Sequence, residues 1–269
     1  MVSGEKVIID ASVLIAASLN HTSRELGGKL IQDHFYKISN PLFNYFKKNI
    51  DKEIGIVTLD IENSARAKII SALIRKISQL THVSRNQLST HLNDYSETLM
   101  YITNSLLENM NLLTRVPVDE TEISRLALKI HSFYENLKIK LRKKNPKRRI
   151  DKRAEEGFPG LKGYFRQFAK EDEKENLVVY KKLLKKLNNN PPDINDCRIL
   201  AQAIYLSKRR EAFIFIASTD YHFSKVKLDA DDALNTFIPD SIMREFDIKC
   251  DWPDNILKIL MKDSRFLLI

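Results

Sequence analysis

Short apolar runs, each followed closely by an acidic residue, recur along the chain. Runs of this length, rich in β-branched and aromatic residues, are typical of buried strands. Asp10, Asp60 and Asp220 each lie at or just beyond the carboxyl end of such a run. The pattern predicts strands at 6–10, 54–59, 213–216 and, more briefly, at 236–238.

Apolar residues at helical spacing occupy most of the remaining chain. The sequence after Asp10 is compatible with a helix, and Asn40-Pro41 interrupts the next helical stretch, which predicts two helices with the proline in the first turn of the second. A helix is predicted from Asp60 onward, and no strand is predicted between about residues 63 and 190. A later helix opens near Asp193-Ile194-Asn195-Asp196, with Asp193 or Asn195 as its N-cap.

Alternating strands and helices favour an α/β fold with a mainly parallel sheet. In such a sheet, ligands bind at the carboxyl edge of the strands. We therefore expect Asp10, Asp196, Asp220 and either Asp60 or Glu62 to lie near one edge. Asp196 falls on the apolar side of its helix, where a carboxylate needs a partner or a metal ion.

The charge balance favours a polyanionic partner. The chain carries 44 Lys and Arg against 35 Asp and Glu, a net charge of +9. Ten cations lie in residues 138–153, around Pro146. This run is either a solvated face or a nucleic-acid-binding segment. The candidate binding residues are Lys143, Lys144, Lys147, Arg148, Arg149 and Arg153.

Several classes of protein do not fit the sequence. The two cysteines, Cys197 and Cys250, are far apart, which favours a reducing compartment. The N-terminus lacks the uninterrupted apolar core of a signal peptide, and no stretch resembles a membrane span. We therefore expect a soluble, cytoplasmic protein. Phosphate-binding glycine loops, zinc motifs and a Ser-His-Asp triad are not evident either.

A cluster of carboxylates is suited to hydrolysing phosphodiesters. Mg²⁺ and Mn²⁺ prefer carboxylate oxygens and water as ligands. These ions activate water at neutral pH and stabilise charge on the phosphate. The expected cofactor is therefore Mg²⁺ or Mn²⁺, and the sequence leaves open whether one or two ions bind.

Four blocks, taken in order, make the chain similar to the PIN-domain family of metal-dependent ribonucleases. They are Val7–Ile15, Val57–Glu62, Asp193–Ala203 and Ile216–Phe223. The segment 236–240 resembles the closing strand and helix of that family. The resemblance implies a three-layer α/β/α fold and endonucleolytic cleavage of RNA, with single-stranded DNA as a further candidate substrate.

The resemblance also implies a role for individual residues. Asp10, Glu62, Asp196 and Asp220 match the family's catalytic and metal-binding acids, with Asp60 as the alternative to Glu62. Supporting positions fall on Ser12, Ser218 and Thr219.

The matching blocks define a predicted domain organisation. A PIN-like core spans 1–80 and 190–250, a helical insertion spans 81–189, and a tail spans 251–269. The insertion is a candidate site for a protein partner or for self-association. The alternative function is a catalytically weak or inactive nucleic-acid-binding or assembly module on the same fold, and a purely helical interaction protein is a third, weaker candidate.

Overall fold

Five strands form one parallel sheet in the computed structural model, which describes residues 4–18, 33–79, 85–142, 192–210, 212–220 and 246–266. The strands are β1 (Lys6–Ile9), β2 (Gly55–Val57), β3 (Thr114–Arg115), β4 (Ile214–Ala217) and β5 (Ile248–Asp251). Their order across the sheet is β3-β2-β1-β4-β5. The predicted α/β class is confirmed, and the sheet excludes a purely helical protein.

The three inner strands β2, β1 and β4 are buried along nearly their whole length. Every residue of β2 and β4 is buried, as are Val7, Ile8 and Ile9 of β1. Continuous burial, rather than alternation, is expected when helices cover both faces of a parallel sheet. The apolar runs that predicted β1, β2 and β4 reflect this environment.

Seven α-helices accompany the sheet within the described residues. They are α1 (Ala11–Ser18), α2 (Asp33–Lys48), α3 (Leu59–Gln79), α4 (Arg85–Asn111), α5 (Glu120–Arg142), α6 (Ile194–Arg210) and α7 (Pro253–Phe266). In this part of the chain no helix combines the length and apolarity that a bilayer crossing requires.

Helix α1 is buried on nearly all sides and packs against α2, α3 and α4. A helix that is apolar all round belongs in a core. At its last residue, the Ser18 hydroxyl donates to the Leu14 carbonyl at 2.8 Å and accepts from Asn109 Nδ2 of α4 at 3.1 Å. The C-terminal turn of α1 is therefore tied to α4.

Contacts divide the chain into two units. The first comprises Gly4–Pro117, Phe215–Asp220 and Cys250–Ile269, and the second comprises Met1–Ser3, Val118–Ile214 and Tyr221–Lys249. In the first unit the C-terminal helix α7 packs on α2. In the second unit α6 packs on α5, where the Arg198 guanidinium donates to Glu120 at 2.6 Å and to Ser124 at 3.1 Å.

Two predictions about the elements are wrong. Strand β3 lies in the region predicted to contain none, because a two-residue strand is too short to produce a periodic pattern. Helix α2 continues through Pro41 instead of breaking there. Pro41 is exposed, whereas Ile38, Leu42 and Phe46 on either side of it are buried, so packing of the apolar face offsets the missing hydrogen bond.

Other predictions concern residues outside the described part of the chain. These are the strand at 236–238, the helix predicted after it up to residue 245, and the insertion from residue 143 to residue 189. The basic residues from Lys143 to Arg153 belong to that part of the insertion. Strand β5 was not predicted, and its last residue, Asp251, is the first residue of the predicted tail, whose residues 253–266 form α7.

Gly55 opens β2 in a position that leaves no room for a side chain. A Cβ atom there would lie 2.6 Å from Leu113 Cδ2 and 3.0 Å from the ring of Phe46. We expect Gly55→Ala to destabilise the protein by about 1–3 kcal/mol, measured as a lower midpoint of thermal unfolding. The control is Gly4→Ala, because no heavy atom of the described residues lies within 4 Å of that Cβ position. Equal midpoints for the two variants would contradict the prediction.

Both cysteines are free and almost fully buried. Burial, with smaller contributions from Asp196 and Asp193, raises the pKa of Cys197 to about 12, and burial together with Asp251 raises the pKa of Cys250. The thiolate is the reactive form, so we expect labelling by Ellman's reagent to be on the order of a hundredfold slower in the native protein than in urea. A thiol that reacts rapidly in the native state would contradict this expectation.

Candidate functional site

Asp10 connects β1, α1 and β4. Its backbone N–H donates to the Ala217 carbonyl at the end of β4, at 3.0 Å. Its carbonyl accepts from Val13 and Leu14, which starts α1. The strand, the helix and the neighbouring strand therefore meet at one residue, whose side chain is 5% exposed.

Two hydroxyl groups hold the Asp10 carboxylate. Ser12 Oγ donates to Oδ2 at 2.5 Å, and Ser218 Oγ donates to the same oxygen at 2.7 Å. The two hydroxyl oxygens are 3.4 Å apart. Both hydroxyls are also acceptors, since Thr219 N–H donates to Ser12 Oγ at 3.2 Å and Asp220 N–H donates to Ser218 Oγ at 3.0 Å.

The hydrogen bonds bring together residues from two segments that are over 200 positions apart in sequence. We call Asp10, Ser12, Ser218, Thr219 and Asp220 the Asp10 cluster. It lies where the strand order reverses, since β2 and β3 lie on the far side of β1 and β5 lies on the far side of β4. The carboxyl edge at such a reversal is where open α/β sheets bind ligands.

Burial raises the pKa of the Asp10 carboxyl above its ordinary value. The hydrogen bonds from Ser12 and Ser218 and the positive charge of Lys68 act in the opposite direction, while the negative charge of Asp220 adds to the rise. Removal from water disfavours the charged form of a carboxyl group. A cation close to this carboxylate would favour its ionisation.

Glu62 lies in the first turn of α3, and its side chain is 4% exposed. Thr58 begins the helix, with its hydroxyl accepting from Ile61 N–H at 3.4 Å and its carbonyl accepting from Glu62 N–H at 3.1 Å. Helix α3 starts directly beyond β2, so Glu62 is held near the carboxyl edge of the sheet.

Both oxygens of Glu62 accept hydrogen bonds from arginine. Arg66, one helical turn further on, donates to Oε1 at 2.6 Å. Arg115, the last residue of β3, donates through Nε to Oε2 at 3.0 Å and through Nη2 to Oε1 at 3.2 Å. Asp60 is half-buried in the same helical turn. The choice between Asp60 and Glu62 as a metal ligand stays a prediction.

Asp196 belongs to the second unit and takes part in a capping box at the start of α6. Asp193 Oδ1 accepts from the N–H groups of Asn195 at 2.7 Å and Asp196 at 3.0 Å. Asp196 Oδ2 accepts in return from Asp193 N–H at 2.9 Å. This reciprocal pairing satisfies donors that a helix start leaves open. Asp193 is thus the N-cap, and Asp196 has a local structural role as well as its predicted catalytic one.

The described residues contain no group of three or more His, Cys, Asp or Glu side chains placed to hold a metal ion. What they do contain is the Asp10 cluster and the Arg66–Glu62–Arg115 cluster in the first unit, and the Asp196 cap in the second. Sequence reasoning missed Arg66 and Arg115. The spacing of four residues between Glu62 and Arg66 is a sequence signal for an ion pair on one helix face. The sequence around Arg115 contains no signal for its pairing with Glu62.

Asp10→Asn removes a buried group whose pKa is raised. The folded protein keeps the Asp10 proton to higher pH than the unfolded chain, whose value is near 3.8. As the pH rises from the unfolded to the folded pKa, wild type therefore loses unfolding free energy that the variant does not lose. Both proteins are measured in EDTA. We expect the difference between their midpoints of thermal unfolding, variant minus wild type, to increase by at least about 2 °C between about pH 4 and pH 8.

The control for this experiment is Asp51→Asn, which replaces an exposed acid. The change of its relative midpoint with pH is the reference against which that of Asp10→Asn is judged. A relative midpoint of Asp10→Asn that is constant over the same range would show that the Asp10 carboxyl titrates alike in the folded and unfolded chains.

No protein-family model, curated protein or solved structure matches the chain. The chemistry of the candidate site is therefore inferred from its side chains and their positions on the sheet.

Proposed function

We propose that the chain is a PIN-type endoribonuclease that depends on Mg²⁺ or Mn²⁺ and cleaves RNA at the Asp10 cluster. The observation that carries the proposal is a buried carboxylate, fixed by two serine hydroxyls beside Asp220, at the point where the strand order reverses. Parallel α/β sheets place ligand-binding groups at this position. The resemblance of the four sequence blocks supports the same function.

The side chains of the Asp10 cluster fit a hard divalent cation. All of the side-chain atoms that could coordinate an ion are oxygens, which suit Mg²⁺ and Mn²⁺ rather than zinc or copper. Mg²⁺ commonly uses one or two protein carboxylates, completing its coordination with water and substrate phosphate. Asp10 and Asp220 would provide these carboxylates. Either Asp60 or Glu62, which lie in the same unit, is the third ligand in the proposal.

A divalent ion supplies Lewis acidity that activates water and offsets charge on the phosphate. The protein groups orient the reaction. Ser12 and Ser218 both donate to Oδ2 of Asp10, which fixes the plane of the carboxylate and leaves Oδ1 outside these two hydrogen bonds. Thr219 and Asp220 are held by backbone donation to the same hydroxyls, so the β4 end keeps its position relative to β1.

The proposed fold is a PIN-like α/β/α core, formed by residues 1–80 and 190–250, with a largely helical insertion between them. Strand β3 pairs with β2 from within the insertion, so part of the insertion completes the sheet. The net charge of +9 favours RNA, with single-stranded DNA as a second polyanion. A cytoplasmic location is part of the proposal, and both cysteines are free thiols.

A second candidate is a nucleic-acid-binding or assembly module on the same fold without catalysis. One observation favours it. Asp10 joins two strands to a helix, Glu62 pairs with two arginines, and Asp196 completes the capping box of α6, so each of these three acids has a structural partner. A carboxylate with such partners does not need a catalytic role to explain its presence.

Cleavage of a labelled single-stranded RNA, with Mn²⁺ or with EDTA, separates the two functions. We expect wild type to cleave only with Mn²⁺, and Asp10→Asn and Asp220→Asn to lose about 100-fold or more, because a lost ligand removes several kcal/mol of transition-state stabilisation. Asp51→Asn is the matched control, since it removes an exposed acid beyond the cluster. RNA binding without Mn²⁺-dependent cleavage would instead select the second candidate.

A further inference from the structure

Two arginines from different elements converge on the buried carboxylate of Glu62. The side chain of Arg66 is 47% exposed and that of Arg115 is 66% exposed, whereas that of Glu62 is 4% exposed. The carboxylate therefore lies beneath two guanidinium groups that reach the surface. We call these three residues the arginine cluster.

The contacts within the arginine cluster use few of its donors. Arg115 presents the fork of Nε and Nη2 to Glu62, and Arg66 presents Nη2. A guanidinium carries five N–H donors and keeps its charge. The three charges sum to +1, so the cluster has both donors and positive charge to offer a further anion.

Stability alone is a weak reason for this arrangement. Ion pairs of exposed arginines contribute roughly 0–1 kcal/mol, and taking a carboxylate out of water costs free energy. What the buried Glu62 does achieve is to restrict two long side chains to defined positions. Side chains ordered in advance lose less entropy when they bind a ligand.

The arginine cluster lies on the carboxyl edge of the sheet, as the Asp10 cluster does. Arg115 ends β3 opposite Val57, which ends β2, and Val116 N–H donates to the Val57 carbonyl at 2.9 Å. Glu62 and Arg66 lie in the helix that follows β2. Lys68 of the same helix acts electrostatically on Asp10, so α3 extends the positive charge toward the proposed reaction centre.

We propose that Arg66 and Arg115 bind a backbone phosphate of single-stranded RNA along this edge, and that Glu62 is a positioning residue for them rather than a metal ligand. The inference rests on the proposed nuclease function and identifies how the substrate is held. The planar fork of arginine matches the oxygens of a phosphate. Both oxygens of Glu62 accept hydrogen bonds from guanidinium groups. In the proposal, Asp60 is therefore the metal ligand of this helical turn.

The test measures binding of a fluorescent single-stranded RNA in EDTA, where no cleavage interferes, between about 50 and 200 mM salt. We expect Arg66→Ala and Arg115→Ala each to weaken binding about tenfold. Each should also reduce the slope of log affinity against log salt, and the double variant should reduce it by about 0.7, the value for one phosphate contact with a single strand.

The matched control is Lys48→Ala, which removes one exposed cation near the amino end of β2, at the opposite edge. Its effect on the salt slope is expected to be close to zero. Arginine variants that behave like Lys48→Ala would overturn the inference.

Arg115→Ala leaves Glu62 with one partner fewer and can lower stability, so Arg115→Lys provides an independent test. Lysine keeps the charge and loses the fork. We expect weaker RNA binding with a nearly unchanged salt slope. If Arg115→Lys bound RNA as tightly as wild type, the proposed binding of a phosphate by the planar guanidinium group of Arg115 would be contradicted.

The position of the metal ligand is tested by thermal shift with Mn²⁺. Glu62→Gln is expected to keep the stabilisation by Mn²⁺, whereas Asp60→Asn is expected to reduce it. Loss of the shift in Glu62→Gln would make Glu62 a ligand and overturn its positioning role. The proposed nuclease function is judged separately, by Mn²⁺-dependent cleavage in wild type, so either proposal can fail alone.

Discussion

The hydrogen bonds of Asp10 are the constraint on which the centre of this structure depends. Asp10 lies between β1 and α1, and it binds the end of β4 through its backbone N–H and its side chain. A carboxylate that is 5% exposed is costly to bury unless such partners are present. The same bonds that compensate for its burial also hold the carboxyl ends of the two central strands in register, which defines the geometry of the candidate site.

Two buried carboxylates of the first unit, those of Asp10 and Glu62, are stabilised by different chemistry. Asp10 accepts from neutral hydroxyls, and burial still raises its pKa. Glu62 accepts from two cationic guanidinium groups, which supply full opposite charge. A carboxylate with neutral partners gains by the approach of a cation, whereas one already paired with cations gains less. This difference is the physical reason for assigning metal chemistry to Asp10 and substrate positioning to Glu62.

Acidic residues next to helix starts serve two purposes that cannot be separated by sequence alone. Asp196 is predicted from the sequence to be a catalytic acid, and in the structure it completes a capping box with Asp193. Asp60 and Glu62 lie in the first turn of α3, where negative charge interacts favourably with the helix dipole. A helix that begins at the carboxyl edge of a sheet places its stabilising acids close to where a metal ion would bind, so structural and catalytic acids occupy the same positions.

The sequence by itself determined the α/β class, the strands β1, β2 and β4, and the helices that follow β1 and β2, because continuous burial selects apolar runs and helix packing selects helical spacing. It also indicated that Asp10, Ser12, Ser218 and Asp220 belong to chain segments at one sheet edge. Only the tertiary structure decided the two-residue strand β3, the continuation of α2 through Pro41, and the pairing of Arg115 with Glu62. These features depend on contacts between residues distant in sequence, such as the 53 positions that separate Glu62 from Arg115, and no local pattern encodes such contacts.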